Sequence, residues 1–445
     1  MNRTPNILFF FTDQQRWDTC GCYDRKSGVT PNLDRMASEG VVFENAFTCQ
    51  PVCGPARACL QTGQWATELG TYRNGIRLPS GSKTIAHHLS GEGYDTAYIG
   101  KWHLASDNRE KLHYERKAVP PELRGGWNQH WIASDVLEFT SRGYGGHMFD
   151  REGRKKKFPK GQYRADVQTD WALEYLDSRK NNETPFILFL SYIEPHHQND
   201  RFRYEGPGGS KKRFKDFEIP GDLAGNKGNW RRSYPDYLGC ISSLDANLGR
   251  IRTRLGELGL AEETLILYTS DHGSHFKTRN GEYKRSCHDA SIRIPMVLQG
   301  PGFRGGRRIS ELVSLLDLPP TLLDAAGLSI PEQMAGRSLA ELTDAGKKSE
   351  PWPEEVFFQI SESQVGRGIR THRWKYSVKA PGRNGMKECC SDFYKTDCLY
   401  DLENDPHEQQ NLADSAAHWK IRMELADRLI RRMTAAGEKF PRIEV

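Results

Sequence analysis

The chain has 445 residues, more than one hydrophobic core usually serves, so we expect one large α/β domain and a smaller one. Its 63 basic and 58 acidic side chains leave a formal charge of only +5, which argues against nucleic-acid binding by the whole surface. The ten cysteines show no regular framework, so we expect mostly reduced thiols and no structural zinc.

No stretch of sequence is apolar for long enough to span a bilayer. The only early hydrophobic run, residues 7–11, is too short for the core of a signal peptide. We therefore expect no membrane association and a cytoplasmic protein, or a periplasmic one if a signal peptide has been lost. The sequence leaves a homo-oligomer open.

Apolar runs alternate with helical patterns from the start of the chain. Residues 6–12 are typical of a buried strand that ends at Asp13, and Thr30 and Pro31 begin a helix that Gly40 ends. This alternation predicts a mostly parallel, mixed sheet sandwiched by helices. Further buried strands are expected at residues 96–99, 186–191, 265–270 and 295–299, and a long helix at residues 237–258.

The pattern changes near residue 346. We expect a first domain of residues 1–345 and an α+β subdomain of residues 346–445 with an antiparallel sheet and a closing amphipathic helix. Two long segments, residues 105–165 and 198–235, match neither regular element, and segments of this kind often carry recognition. The short strands of the subdomain are expected at residues 356–360, 368–371, 374–378 and 399–401, and its helix at residues 419–433.

A thiol stands where another helix is expected to begin. Proline is tolerated in a helix only in its first turn, so Pro55 marks the start, and Arg57 lies one turn beyond Cys53 on the same face. Free backbone N–H groups, the positive end of the helix dipole and the guanidinium all point toward whatever is attached at Cys53. The segment therefore predicts an anion site.

Charged residues also follow the predicted strands. Asp13, Lys101, His196 and Asp271 each come just after one of them. The ligand crevice of an open parallel sheet lies beyond the carboxyl ends of its strands, so we expect these side chains to line one site.

The string CGPARACLQTG, which begins at Cys53, resembles the C-x-P-x-R-x-x-L-x-T-G signature of the type I, formylglycine-dependent sulfatases. This family has the alkaline-phosphatase-like fold. The resemblance implies a sulfuric ester hydrolase with its catalytic domain in residues 1–345, in which a formylglycine-generating or an anaerobic sulfatase-maturating enzyme oxidises Cys53 to an aldehyde. The hydrated aldehyde is a geminal diol. Other similar segments, in matching order, are NILFFFTDQQ, TPNLDRMASEG, YIGKWHL, SDHG and RIPMVLQGPG.

The resemblance also implies one divalent metal, held by Asp13, Gln14, Cys53, Asp271 and His272. Family members commonly have two consecutive aspartates where this chain has Asp13-Gln14, and Asp-Asn where it has Asp271-His272. One carboxylate fewer predicts weaker metal binding, and an imidazole favours Mn²⁺ or Zn²⁺ more than an all-oxygen set would. Ca²⁺ remains the first expectation from the family, with Mn²⁺, Mg²⁺ and Zn²⁺ as alternatives.

The remaining catalytic residues come from the same resemblance. Lys101 and Lys284 would clamp the sulfate together with the metal, and Arg57 belongs to the cysteine signature. His103 matches the histidine that contacts the diol, and His196 matches the one that faces the bridging oxygen. The implied mechanism is covalent: one diol hydroxyl, deprotonated with help from the metal and Asp271, attacks sulfur while His196 protonates the departing alcohol. His103 then takes the proton of the second hydroxyl as sulfate leaves.

Aromatic and basic residues in the long segments bear on the substrate. Trp127, Trp131, Trp230, Arg201 and Arg203 suit stacking on a sugar ring and pairing with its anionic groups, although they would serve equally as loop anchors. We therefore predict a sulfated mono- or oligosaccharide as substrate. Three alternatives stay open: an aryl or alkyl sulfatase, a phosphonate monoester or phosphodiester hydrolase that shares the oxidised cysteine, and a catalytically inactive carbohydrate-binding relative.

Overall fold

A ten-stranded mixed sheet forms the centre of the larger unit in this computed structural model, which describes residues 4–23, 28–344 and 350–445. Its strands in chain order are β1 (Asn6–Thr12), β2 (Val41–Phe47), β3 (Asp95–Lys101), β4 (His130–Ser134), β5 (His147–Asp150), β6 (Lys155–Lys157), β7 (Phe186–Ser191), β8 (Thr264–Ser270), β9 (Met296–Gln299) and β10 (Arg307–Ser314). They lie in the order β10-β2-β9-β8-β1-β7-β3-β4-β5-β6. The five strands from β8 to β4 are mutually parallel, whereas β9, β5 and β6 each run antiparallel to their neighbours.

Helices cover both faces of this sheet. Because side chains alternate along a strand, Phe9 and Phe11 of β1 enter one core, whereas Leu8 and Phe10 enter the other. The predicted α/β class, a mixed sheet sandwiched by helices, is therefore confirmed. The helices are α1 (Pro31–Glu39), α2 (Cys53–Thr62), α3 (Ala66–Leu69), α4 (Ile85–Gly91), α5 (Arg164–Ser178), α6 (Ser210–Arg213), α7 (Trp230–Glu257), α8 (Asp289–Ile292), α9 (Leu318–Ala325), α10 (Ala340–Thr343) and α11 (Trp419–Ala435).

A second, five-stranded sheet is built by the C-terminal part of the chain. Its strands, in spatial and chain order, are β11 (Glu355–Ile360), β12 (Gly366–Thr371), β13 (Trp374–Lys379), β14 (Phe393–Asp401) and β15 (Arg442–Glu444). All neighbours are antiparallel except β14 and β15. Helix α11 packs on the sheet through Leu425, Leu429 and Met433. The antiparallel sheet is confirmed, whereas the predicted boundary between residues 345 and 346 lies outside the described residues.

The two long segments are more regular than expected. Residues 105–165 contain β4, β5 and β6, which are too short for a periodic pattern and extend the sheet through backbone pairing. Helix α7 begins at Trp230, seven residues before the expected start at Tyr237, because Pro235 lies near its first turns and removes only one donor. Within the described residues, no helix is long and apolar enough to cross a membrane. All ten cysteines are free thiols.

A buried charge network joins the two sheets. Lys375 of β13 has no solvent exposure, and its ammonium contacts the carboxylates of Asp289, at the start of α8, and of Glu408. The backbone N–H of Asp289 donates to Glu408 Oε2 at 2.8 Å. Because buried charges are costly unless they are paired, this contact holds the second sheet against the loop that leads from β8 to α8.

Candidate active site

Helix α2 begins with Cys53, as predicted, and Pro55 lies in its first turn. All ten residues of the helix are buried, and Cys53 is 1% exposed. The N–H of Gly54 donates to Asn74 Oδ1 at 2.9 Å, and the N–H of Asn74 donates in turn to Glu362 Oε1 at 2.7 Å. A side chain that follows β11 therefore supports the residue that binds the first turn of α2.

The Cys53 sulfur lies among charged groups from three separate loops. Its Sγ is 2.8 Å from Lys284 Nζ, 3.2 Å from His272 Nε2 and 3.4 Å from Asp13 Oδ1. Burial opposes ionisation of the thiol, but Lys284, Lys101 and His272 outweigh it and hold the Cys53 pKa well below its usual range. The sulfur marks the place where an oxygen of an oxidised side chain would stand.

Four side chains offer ligand atoms for a metal ion at this point. One atom each from Asp13, Cys53, Asp271 and His272 lies within 4.8 Å of the others. His272 Nδ1 is 2.9 Å from the carbonyl oxygen of Gly273, so that nitrogen carries the hydrogen and the lone pair of Nε2 faces the cluster. Burial and the neighbouring Asp13 raise the pKa of Asp271 to about 7. Closely packed carboxylates of this kind require a cation.

Gln14 completes the donor set. Its backbone N–H donates to Asp271 Oδ1 at 3.0 Å, and its side-chain amide donates to Tyr204 OH at 2.9 Å and to Ser274 Oγ at 3.1 Å. This arrangement leaves Gln14 Oε1 buried with no hydrogen-bond partner among the described residues. An amide oxygen without a donor fits a hard cation.

Two cations hold Asp13 in its ionised form. Its Oδ2 accepts from Lys101 Nζ at 2.8 Å and from Arg57 Nη2 at 3.0 Å, and Arg57 Nη1 also donates to the Lys101 carbonyl. Burial and Cys53 act to raise the pKa of Asp13, but Lys101, His196 and Arg57 outweigh them and lower it far below its usual range. Arg57 therefore positions a proposed metal ligand as well as contributing positive charge.

The two histidines also contact this group of charges. His196 Nε2 is 3.3 Å from Lys284 Nζ and 4.0 Å from Asp13 Oδ1, and burial lowers the pKa of His196. His103 has a φ of 63°, its N–H donates to the Asp135 carbonyl at 2.8 Å, and its side chain helps to lower the pKa of Cys53. Both side chains therefore reach the centre.

The structure brings all the sequence-predicted site residues into one largely buried cluster, while the roles assigned to them stay predictions. Glu138 was missed: its Oε2 is 3.5 Å from Lys101 Nζ, and although burial acts to raise its pKa, Lys101, His196 and His103 lower it to about 2. The sequence analysis also missed Asn74, Tyr204 and Ser274. No pattern in the sequence identifies a loop residue whose contact with the site depends on the fold. The residues brought together are Asp13, Gln14, Cys53, Arg57, Lys101, His103, His196, Asp271, His272 and Lys284.

The three tryptophans considered for sugar stacking do not reach the protein surface. Trp127, Trp131 and Trp230 are at most 1% exposed, because their indole rings fill the hydrophobic cores under the loops. The reading of these residues as loop anchors is therefore correct. Arg201 and Arg203 keep more exposure, but both pair with Glu205 at 2.9 Å.

His275 supports the loop that carries Lys284, and its ionisation predicts acid sensitivity. Its Nε2 is 3.0 Å from the Lys284 carbonyl, and burial lowers the His275 pKa from 6.5 to about 4. Between these values the unfolded chain binds a proton that the folded protein does not, so stability is full above pH 6.5 and falls as the pH is lowered. We expect a loss of about 2 to 3 kcal/mol by about pH 4.5.

Urea unfolding at neutral and acidic pH would measure this effect in wild type and in His275→Gln, which keeps a donor for the carbonyl. The variant should lose less stability on acidification than wild type. Identical losses in the two proteins would show that His275 is not responsible.

The chain matches a family model described as Sulfatase over residues 5–328. It belongs to the sulfatase family. A second model, described as N-sulphoglucosamine sulphohydrolase, C-terminal, matches residues 281–435 of this sulfatase. The chain is 27% identical in sequence to an ulvan-active sulfatase of Formosa agariphila, over 98% of this chain and 82% of that protein. It is 25% identical to an N-acetylglucosamine-6-O-sulfatase of Bacteroides thetaiotaomicron, over 95% of this chain and 85% of that protein.

Solved structures agree on the fold. The yidJ sulfatase structure from Bacteroides fragilis superposes with a TM-score of 0.83 at 27% identity, covering 98% of this chain and 97% of that one. A protein solved with its substrate D-glucosamine-2-N,6-O-disulfate gives a TM-score of 0.77 at 24% identity, covering 99% of both chains. A phosphonate monoester hydrolase from Silicibacter pomeroyi gives 0.73 at 20% identity, covering 98% of this chain and 96% of that one. This sulfatase is therefore a sulfuric ester hydrolase by family, and its fold alone does not exclude the related phosphonate chemistry.

Proposed function

We propose that this sulfatase removes sulfate from a sulfated mono- or oligosaccharide, using an aldehyde made from Cys53 and one divalent metal. The observation that carries the proposal is the position of the Cys53 sulfur, at the start of a buried helix and within 3.4 Å of Asp13, His272 and Lys284. The sulfated sugars named for two relatives and for one solved complex support a carbohydrate. A formylglycine-generating or anaerobic sulfatase-maturating enzyme would supply the oxidation.

The metal would be held by Asp13, Gln14 Oε1, Asp271, His272 Nε2 and the oxidised residue 53. The orphaned amide oxygen of Gln14 fits such an ion. His272 Nε2 also fits it, because its lone pair faces the same cluster, 3.2 Å from Cys53 Sγ and 3.1 Å from Lys284 Nζ. When bound, the cation would supply positive charge that polarises a sulfate oxygen. Ca²⁺ stays our first proposal, and the imidazole keeps Mn²⁺ and Zn²⁺, with Mg²⁺, as alternatives.

The side chains of this centre have complementary tasks in the proposed reaction. Lys284 and Lys101 place positive charge beside the non-bridging oxygens of the sulfate, where charge increases as the ester bond breaks. Lys284 Nζ lies 3.3 Å from His196 Nε2, so the ammonium can donate a hydrogen bond to the imidazole, and His196 would supply the proton that the oxygen of the departing alcohol takes up. Burial of residue 53 keeps bulk water away from the reacting atoms.

A substrate panel tests the proposal with protein whose residue 53 carries the aldehyde by peptide mass analysis. The panel comprises defined sulfated sugars, an aryl sulfate and the matched aryl phosphodiester. We expect sulfate release with a kcat/KM at least about tenfold higher for one sugar than for the aryl sulfate, because a sugar adds binding contacts in the transition state. Turnover of the aryl sulfate with no sugar cleaved would refute the carbohydrate assignment. Removing metal with a chelator and restoring Ca²⁺, Mn²⁺, Mg²⁺ or Zn²⁺ separately would identify the ion.

Phosphonate monoester or phosphodiester hydrolysis is the second candidate. It is favoured by one observation: Gln14 stands where sulfatases commonly have a second aspartate, which leaves the centre with less negative charge. Faster cleavage of the phosphodiester than of the matched aryl sulfate would establish this alternative.

A further inference from the structure

A cavity of about 440 Å³ lies next to Glu138, beside the proposed centre. Glu138, which lines the cavity, also places its carboxylate 3.5 Å from Lys101 Nζ, so one residue contacts both the cavity and the centre. A volume of this size exceeds that of an anion and matches the lower range of small-molecule sites. Its other principal lining residues are Arg116, Phe139, Arg142, Tyr144 and Asp200.

Two guanidinium groups give this cavity a positive character. The Arg116 guanidinium lies over the ring of Phe139, 5.1 Å from its centroid, and donates one hydrogen bond to the Phe139 carbonyl at 2.8 Å. Neither Arg116 nor Arg142 pairs with a carboxylate in the part of the chain that the structure describes. Of the two acids of the cavity, Glu138 pairs with Lys101, whereas Asp200 accepts from the neutral Gln198 amide at 2.8 Å and keeps its charge. The two guanidinium groups therefore outnumber the one carboxylate that has no cationic partner among the described residues.

The cavity wall is fixed to the loop that carries His196. The buried Gln198 donates through Nε2 to the carbonyls of Glu138 at 2.9 Å and Ser141 at 3.1 Å. The buried Arg164 donates to Glu194 Oε1 at 2.8 Å and to Ser141 Oγ at 3.0 Å. These bonds tie the segment that ends at Arg142 to the loop that carries His196, the residue proposed to face the departing alcohol.

We infer that this cavity binds a second anionic group of the sugar, so that the preferred substrate carries at least one negative charge besides the sulfate that is removed. The inference rests on the proposed function and specifies its substrate class. Free guanidinium groups bind sulfate and carboxylate oxygens through paired hydrogen bonds, and the Phe139 ring, 37% exposed, offers a sugar an apolar face. The second group is a sulfate or a carboxylate.

Calorimetric binding to Cys53→Ala, which cannot turn substrate over, tests this subsite without need of the aldehyde. The ligands are a glucosamine with one sulfate, the same sugar with two, and a disaccharide with one sulfate and one uronic acid. Arg142→Gln and Arg116→Gln are added separately to this background. Arg154→Gln is the matched control, because Arg154 is also exposed but pairs with Asp150 and Glu152 at the turn between β5 and β6. Thermal unfolding checks that each variant is folded.

We expect Arg142→Gln and Arg116→Gln each to weaken binding of a doubly charged ligand about tenfold, to change monosulfated glucosamine less than about twofold, and Arg154→Gln to change neither. A loss confined to the disulfated sugar identifies a sulfate, and one confined to the uronic acid disaccharide identifies a carboxylate. Equal affinity for singly and doubly charged ligands, or equal losses for both, would overturn the subsite alone. Failure of every sugar to bind, together with no sulfate release by aldehyde-bearing wild type, would overturn the proposed function and the subsite with it.

Discussion

Replacing Cys53 with alanine should reduce sulfate release by about 10⁴-fold or more, the scale of loss when an enzyme is deprived of its nucleophile. The proposed reaction has no substitute for residue 53, because a methyl group cannot be oxidised to an aldehyde. The surrounding cations would remain and would still bind sulfate. The measurement is sulfate release from the preferred sugar, together with the mass of the peptide that spans residue 53 in wild type.

Cys59→Ala is the matched control for this substitution. Cys59 lies on the same buried helix, but it packs with Cys49 and Leu316 rather than in the centre. We expect Cys59→Ala to retain oxidation at residue 53 and most of the activity, with some loss of stability from the smaller side chain. Appreciable turnover by Cys53→Ala, or an unmodified thiol in a fully active wild-type sample, would contradict the proposed chemistry.

Lys375→Met should destabilise the protein by about 3 to 5 kcal/mol, because it leaves the carboxylates of Asp289 and Glu408 buried without their shared counter-ion. Methionine fits the space of the lysine stem, so the loss reports charge rather than volume. Arg370, 3.6 Å from Asp289, compensates only in part. Thermal and urea unfolding would measure the change.

Lys379→Met provides the comparison on the same strand. Lys379 is 54% exposed and pairs with Asp397 at 2.8 Å, so its loss should cost less than about 1 kcal/mol. Adding Glu408→Gln to Lys375→Met should restore part of the lost stability, since Glu408 would then carry no charge and Asp289 would keep Arg370 as a partner. Equal effects of Lys375→Met and Lys379→Met would rule out a structural role for the buried network.

Residues that end or follow buried strands could be placed from the sequence. Asp13, Lys101 and Asp271 stand at the carboxyl ends of buried strands. The parallel sheet brings these ends to one edge. The start of α2 could also be predicted from the sequence, because Pro55 restricts where a helix can begin. Local rules are sufficient for such positions, since each depends on a few neighbouring residues.

Positions that depend on tertiary packing could not be placed in this way. Glu138 could not be identified as a neighbour of the site from the sequence, because it reaches Lys101 only after β4 has paired with β3. The sequence around Trp127 and Trp131 does not distinguish a tryptophan that stacks on a sugar from one that fills a core. The burial of both side chains in the folded protein shows that they fill a core. The hydrogen bond between Glu362 and Asn74 joins residues that are far apart in sequence, and no sequence pattern predicts it.

The contact between Glu362 and Asn74 bears on the timing of maturation. Because a ribosome makes the chain from its N-terminus, residue 53 emerges long before Glu362 and Lys375 exist. Helix α2 therefore lacks its last supporting contact until Glu362 has been made, and during that interval the thiol would be open to the proposed modifying enzyme. Oxidation of the growing polypeptide would need no route into the completed core, where Cys53 is sealed.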